Sequence, residues 1–143
     1  GLRYANQAFT VTHFKVALED FDRALGSAWD ECIYHCQHSL EAVRDYFGDE
    51  KSGWESMRRE LGLEESELRQ VTDFSEKYIR HGSNREKLYH LTDKGKHQKA
   101  RNSLKTCHKV IRLFADYLNN NGSHFSMIHN KGELIYSFTD NLI

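Results

Sequence analysis

Proline is absent from all 143 residues, where average usage of about 5% would place about seven. Nothing in the chain therefore forces a helix to break or kink, and nine glycines punctuate it instead. Cysteine is scarce: there are three, an odd number, and Cys32 and Cys36 lie four apart in a helical pattern. That usage fits reduced, buried thiols in a reducing compartment better than a disulfide framework. No apolar run approaches the roughly 18 residues of a membrane-spanning helix. The opening Gly1-Leu2-Arg3 lacks both Met and the basic-then-apolar layout of a signal peptide, so the chain reads as a trimmed, cytoplasmic protein that does not enter a membrane. Gly-rich phosphate loops, Gly-x-Ser-x-Gly elbows and paired zinc-knuckle cysteines are missing as well, which removes the chemistries those motifs signal.

What is present is the composition of a folded chain, 38% hydrophobic, 12% aromatic and 29% charged. At this length a chain buries about two thirds of the surface its unfolded form exposes, enough for one core without disulfides or metal. The expected fold is all-α: a four-helix bundle over about 8–118, an extra short crossing helix, and a small C-terminal β-hairpin over about 123–140, all within one domain.

The elements follow from periodicity. Val11, Phe14, Leu18, Phe21 and Leu25 repeat in steps of three and four, predicting a first helix over about 8–25 with Lys15, Glu19, Asp20, Asp22 and Arg23 on a solvated face. Gly26 ends it, and Ser27 is placed to cap the next. Ala28, Cys32, Cys36, Leu40, Val43 and Phe47, widened by Trp29, Ile33 and Tyr46, give the second helix an apolar arc broad enough for a central position. Trp54, Met57 and Leu61 mark the short crossing helix between Gly53 and Gly62. Leu68, Val71, Phe74 and Tyr78 define a third long helix over about 65–79, followed by a polar connection at 80–91. Thr92 or Asp93 caps the fourth, whose stripe is Ala100, Leu104, Cys107, Ile111, Phe114 and Leu118. Phe125 to His129 and Leu134 to Phe138 flank Asn130-Lys131-Gly132, a hairpin-turn sequence.

The formal net charge of −1 hides a segregation. Residues 1–76 carry 8 basic and 16 acidic side chains, whereas 77–112 carry 11 basic and only 2 acidic, a local net of +9. That stretch supplies what phosphate-backbone binding requires: Lys77, Lys87, Lys94, Lys96, Lys99, Arg101 and Lys105 as counter-charges, with Tyr78 and Tyr89 for stacking. The same pattern also suits packing against the acidic first half, pairing with a second copy, or docking an acidic protein.

Arg and His together can cleave RNA without metal, the imidazole moving protons at the 2′-hydroxyl or leaving oxygen while the guanidinium holds the phosphate. Two pairs have suitable spacing: Arg85 with His90, and, on one face of the fourth helix, Arg101 with His108. Glu31, His35, His38 and Glu41 beside Cys32 and Cys36 form a donor-rich patch, but no other helix offers the inward Glu-x-x-His partner that a carboxylate-bridged metal pair needs. The reading is no metal and no cofactor. Cys107 and His108 point about 100° apart on a helix and cannot act as a nucleophilic pair.

Three segments, Ala28 to Phe47, Phe74 to Gly82 and Leu91 to Leu118, resemble the HEPN superfamily (higher eukaryotes and prokaryotes nucleotide-binding), small all-α domains of prokaryotic defence and toxin–antitoxin systems. The resemblance implies an RNA- or nucleotide-binding homodimer and, in catalytic members, a metal-independent endoribonuclease built on an Arg, a polar residue and a His. Arg80-His81-Gly82 stands at the His-Gly end of such a motif, but the positions where the arginine would fall are Glu76, Ser75 and Phe74. Either Arg80 or Arg85 serves the phosphate with His81 or His90, or the chain is a non-catalytic member that binds nucleic acid or a protein partner.

Overall fold

A computed structural model describes the backbone of residues 2–74, 92–120, 125–130 and 133–138, with side chains described for 12–74 and 92–120. Among the described residues five helices make up a bundle: α1 (Leu2–Leu25), α2 (Trp29–Phe47), α3 (Gly53–Leu61), α4 (Glu65–Phe74) and α5 (Asp93–Asn120). Past α5 the backbone of Phe125–Asn130 runs antiparallel to that of Glu133–Phe138; the fold class rests on the helices. The expected last turn of the third helix and the connection after it fall in 75–91, outside the described residues.

Helix α1 buries Phe14, Ala17 and Ala24, and half-buries Leu18 and Phe21. Two details differ from the sequence reading. Leu25, expected on the inner stripe, is 58% exposed, because at 100° per residue the inward place in the last turn belongs to Ala24. Asp20, expected on the solvated face, is buried and held by Arg23 Nη1 at 2.9 Å. Ser27 does not cap α2 either. Its hydroxyl donates to the Arg23 carbonyl at 2.6 Å, satisfying the end of α1, while Ala28 takes the extended cap position before α2.

Helix α2 is central, touching every other helix. Cys32, Ile33, Cys36, Leu40 and Val43 are at most 3% exposed, and the Ser39 hydroxyl, also buried, donates to the Ala17 carbonyl at 2.7 Å, tying α2 to α1. Asp49 then turns the chain by accepting N–H donors from Lys51 and Ser52 and the Ser52 hydroxyl, contacts that hold its carboxyl below the usual range, the Ser52 N–H first. At Gly53 the start of α3 lies so close to the end of α2 that a Cβ would sit 2.7 Å from Arg44 Cγ and 3.0 Å from the Arg44 carbonyl oxygen. Gly62 closes α3 with φ of 67°, the left-handed conformation that glycine adopts without penalty.

The core joins α1, α2, α3, α4 and α5. Phe114, fully buried, packs against Phe14, Tyr46 and Phe47 at ring separations of 6.0, 5.1 and 5.7 Å. Tyr117 extends the same group to Phe47, and burial together with Tyr117 pushes the Tyr46 hydroxyl up. The three thiols are buried as expected. Cys36 lies between Cys107 and Cys32, and those hydrogen-bonding neighbours plus burial raise its thiol far above its ordinary value, so it stays protonated. Among the described residues no helix is long and apolar enough to cross a membrane.

Candidate nucleic-acid interface

The helix with the largest share of the described positive charge is launched by Thr92, whose Oγ1 accepts the Gly95 N–H at 3.0 Å. From there α5 places Ser103, Cys107, Val110, Ile111, Phe114, Ala115 and Leu118 inward. Ala100 and Leu104, expected on that stripe, are only half-buried, and Ser103 takes the inner place at that level. Fixing the inner face fixes the outer one.

At 100° and 1.5 Å per residue, Lys94, Arg101, Lys105 and Arg112 fall within about 40° of one another and extend over about 27 Å along the axis. All four are exposed. Among the described residues none of them has a carboxylate within ion-pair distance, whereas Lys15, Arg23, Arg58 and Arg69 in the acidic half all do. The result is a straight row of uncompensated cations on one face. Lys109, just beside the row, differs: its Nζ bonds Glu67 and clamps α5 to α4. That contact, with the Glu64 N–H next in weight, lowers the Glu67 carboxyl.

Lys96 and Lys99 have a second role. Lys96 Nζ lies 5.6 Å over the Trp29 ring and Lys99 Nζ 5.4 Å over the Phe74 ring, and the two rings stand 6.3 Å apart. The lysines thus hold the first turns of α5 against α2 and α4. No sequence signal joined positions 29 and 74 to 96 and 99, because they meet only after the helices pack.

The remaining sequence-predicted residues divide by location. Lys77, Arg80, His81, Arg85, Lys87 and His90, with Tyr78 and Tyr89, lie outside the described residues. Arg101 is exposed and His108 half-buried, its ring 6.0 Å from Phe21; seven residues of helical rise separate their backbones by about 10.5 Å. In the donor-rich patch of α2, Cys32 and Cys36 point into the core, His38 lies 4.4 Å from the Tyr34 ring, and Glu41 accepts Gln37 Nε2 at 2.8 Å. Among the described residues no group of three or more His, Cys, Asp or Glu side chains is arranged to hold a metal ion.

Residues 2–119 match the family described as Domain of unknown function (DUF8168) C-terminal domain. No curated protein and no solved structure matches the chain.

Proposed function

This chain belongs to the DUF8168 C-terminal domain family, and we propose that it binds RNA through the basic face of α5 and the basic residues that precede it. The observation that carries the reading is the row Lys94, Arg101, Lys105 and Arg112: exposed, aligned, and without described carboxylate partners. A surface that served only to pack against the acidic half of its own chain would have its cations paired, as Lys109 is with Glu67. A row of this kind neutralises successive phosphates and gains from counterion release.

The fuller form of the proposal is a HEPN-like homodimer in which Lys77 and Lys87 extend the binding face. Arg80 or Arg85, with His81 or His90, supplies metal-independent endoribonuclease chemistry suited to a prokaryotic defence or toxin–antitoxin system. Arg101 with His108 is the lesser alternative site, and the tail over 123–140 extends the bundle as a hairpin.

Fluorescence anisotropy with labelled single-stranded RNA tests binding, and incubation of that RNA with EDTA present tests cleavage. Saturable binding that weakens on substituting Arg101 and Lys105 is the expected result. Cleavage lost in Arg80→Ala, His81→Ala, Arg85→Ala or His90→Ala would add the catalytic form; binding without cleavage of any RNA leaves a non-catalytic RNA-binding domain. No RNA binding, with saturable binding of an acidic protein to the same face, would replace the proposal by a protein-interaction module.

A further inference from the structure

Away from the α5 face, α2, α3 and α4 enclose a polar cleft of about 350 Å³, within the range of small-ligand sites. Gln37, 3% exposed, and Leu68, 4% exposed, line it together with Trp54, whose ring is covered by the Arg44 guanidinium at 5.1 Å. Its charges are unequally matched. Glu65 takes both Arg58 at 3.3 Å and Arg69 at 2.8 Å, and Asp45 takes Arg44 at 2.8 Å. Lys51 is the one further cation among the lining residues. Against it stand Glu50, Glu55 and Asp73, for which no cation lies within ion-pair distance among the described residues. The cleft therefore carries surplus negative charge.

A second, independent feature says what kind of group would enter. Gln37 Nε2 donates to Glu41 Oε1 at 2.8 Å, which fixes the amide, since the flipped amide would set two oxygens at that separation. Gln37 Oε1 is then left buried with no donor, a situation that native structures seldom tolerate. The missing group must be a donor, and the carboxylate of Glu41 beside it favours a positive one. A primary ammonium fits: it has three N–H donors and no acceptor, so it can serve the amide oxygen and the carboxylate together.

We propose that this cleft binds an alkyl ammonium ligand of the polyamine class. One ammonium group bridges Gln37 Oε1 and Glu41, another meets the outer carboxylates Glu50 and Glu55, and the methylene chain lies along Trp54 and Leu68. An anionic ligand has no comparable fit, because Arg44, Arg58 and Arg69 are already paired and the open valence is an acceptor.

Isothermal titration of the full chain with spermidine, at matched ionic strength, tests this. Saturable binding at one site is expected, with putrescine weaker because it has one charge fewer. Glu41→Gln should weaken spermidine about ten- to a hundredfold, the range for losing a hydrogen bond to a charged group. Gln37→Met, similar in volume but without the orphan acceptor, should also weaken it, while Glu19→Gln on exposed α1 should not. If circular dichroism shows that either cleft variant has unfolded, Glu55→Gln replaces it with the same expected direction. Heats that do not saturate, equal affinity across the cleft variants, or full displacement by magnesium at matched ionic strength would each overturn the proposal. RNA binding enters none of these readings, so this site and the α5 face stand or fall separately.

Discussion

Replacing Lys94, Arg101, Lys105 and Arg112 together by glutamine removes the exposed row while leaving the helix intact, because Gln, Lys and Arg have nearly equal helix propensity. The consequence for RNA binding is quantitative. Each phosphate neutralised on a single strand contributes about −0.7 to the slope of log affinity against log salt, so four contacts contribute about −2.8. Between about 50 and 200 mM salt, a fourfold change, those four contacts alone would weaken binding roughly fiftyfold. The quadruple variant should therefore show a slope shallower by about 2.8 than the parent, measured by anisotropy over that salt range. Lys109→Gln is the internal comparison. Lys109 already bonds Glu67, so its removal should change the slope by well under the 0.7 or so expected of a free contact. An unchanged slope in the quadruple variant, with helicity retained, would refute the argument that this row meets the phosphates. A Lys109→Gln effect as large as that of any single row residue would refute the argument that pairing sets which cations are available.

Four further outcomes follow from the packing. Phe114→Ala empties a fully buried ring site bounded by Phe14, Tyr46 and Phe47 and should cost about 3–5 kcal/mol by urea denaturation; a loss under about 1 kcal/mol would show that these aromatics are not a single packed unit. Gly62→Ala meets no atom within 4 Å but keeps φ at 67°, so the expected cost is the backbone term alone, about 1–2 kcal/mol. Gly53→Ala, which collides with Arg44, should lower the melting temperature further than Gly62→Ala, and the reverse order would contradict the close approach of α3 to α2. Cys32, Cys36 and Cys107 are at most 3% exposed, so a thiol reagent should label them on the timescale of unfolding and reach all three only in denaturant; rapid labelling of the native chain would contradict their burial.

The Glu67–Lys109 contact also has a pH signature. Because the folded-state carboxyl is lowered, chiefly by Lys109, its contribution is present above the unfolded value of about 4.3 and is lost as pH falls through the folded value. Glu67→Gln should therefore narrow the difference in melting temperature between neutral and acidic buffer, by a small amount because both side chains are partly exposed.

Much of the helical order was legible in the residues. Periodicity located α2, α3 and α5 closely, since a buried stripe must recur every three or four residues wherever a helix meets a core. Thr92 was readable as a cap because its hydroxyl can serve the N–H three residues on. Ser27 looked equally good, yet its hydroxyl turned back to Arg23, a choice between two helix ends that no local rule ranks. Leu25 and Asp20 were misplaced for a related reason: near a helix end a small rotation exchanges inner and outer positions, and only the neighbouring helices fix that rotation.

The candidate sites divide along the same line. The concentration of 11 basic residues in 77–112 is a property of the sequence, as is their recurrence on one side of a helix. Which of those cations remain available was decided by tertiary packing, which set Lys109 against Glu67 and placed Lys96 and Lys99 over Trp29 and Phe74. The cleft with its orphaned Gln37 oxygen had no signature in the residue order at all. Charge, propensity and period are local quantities, carried by each residue and its near neighbours, so the chain alone determined a helical protein with a positive segment and buried thiols. Partners across a bundle are separated by up to dozens of residues, and only the folded arrangement of α2, α3, α4 and α5 decided which groups are satisfied and which still lack a partner.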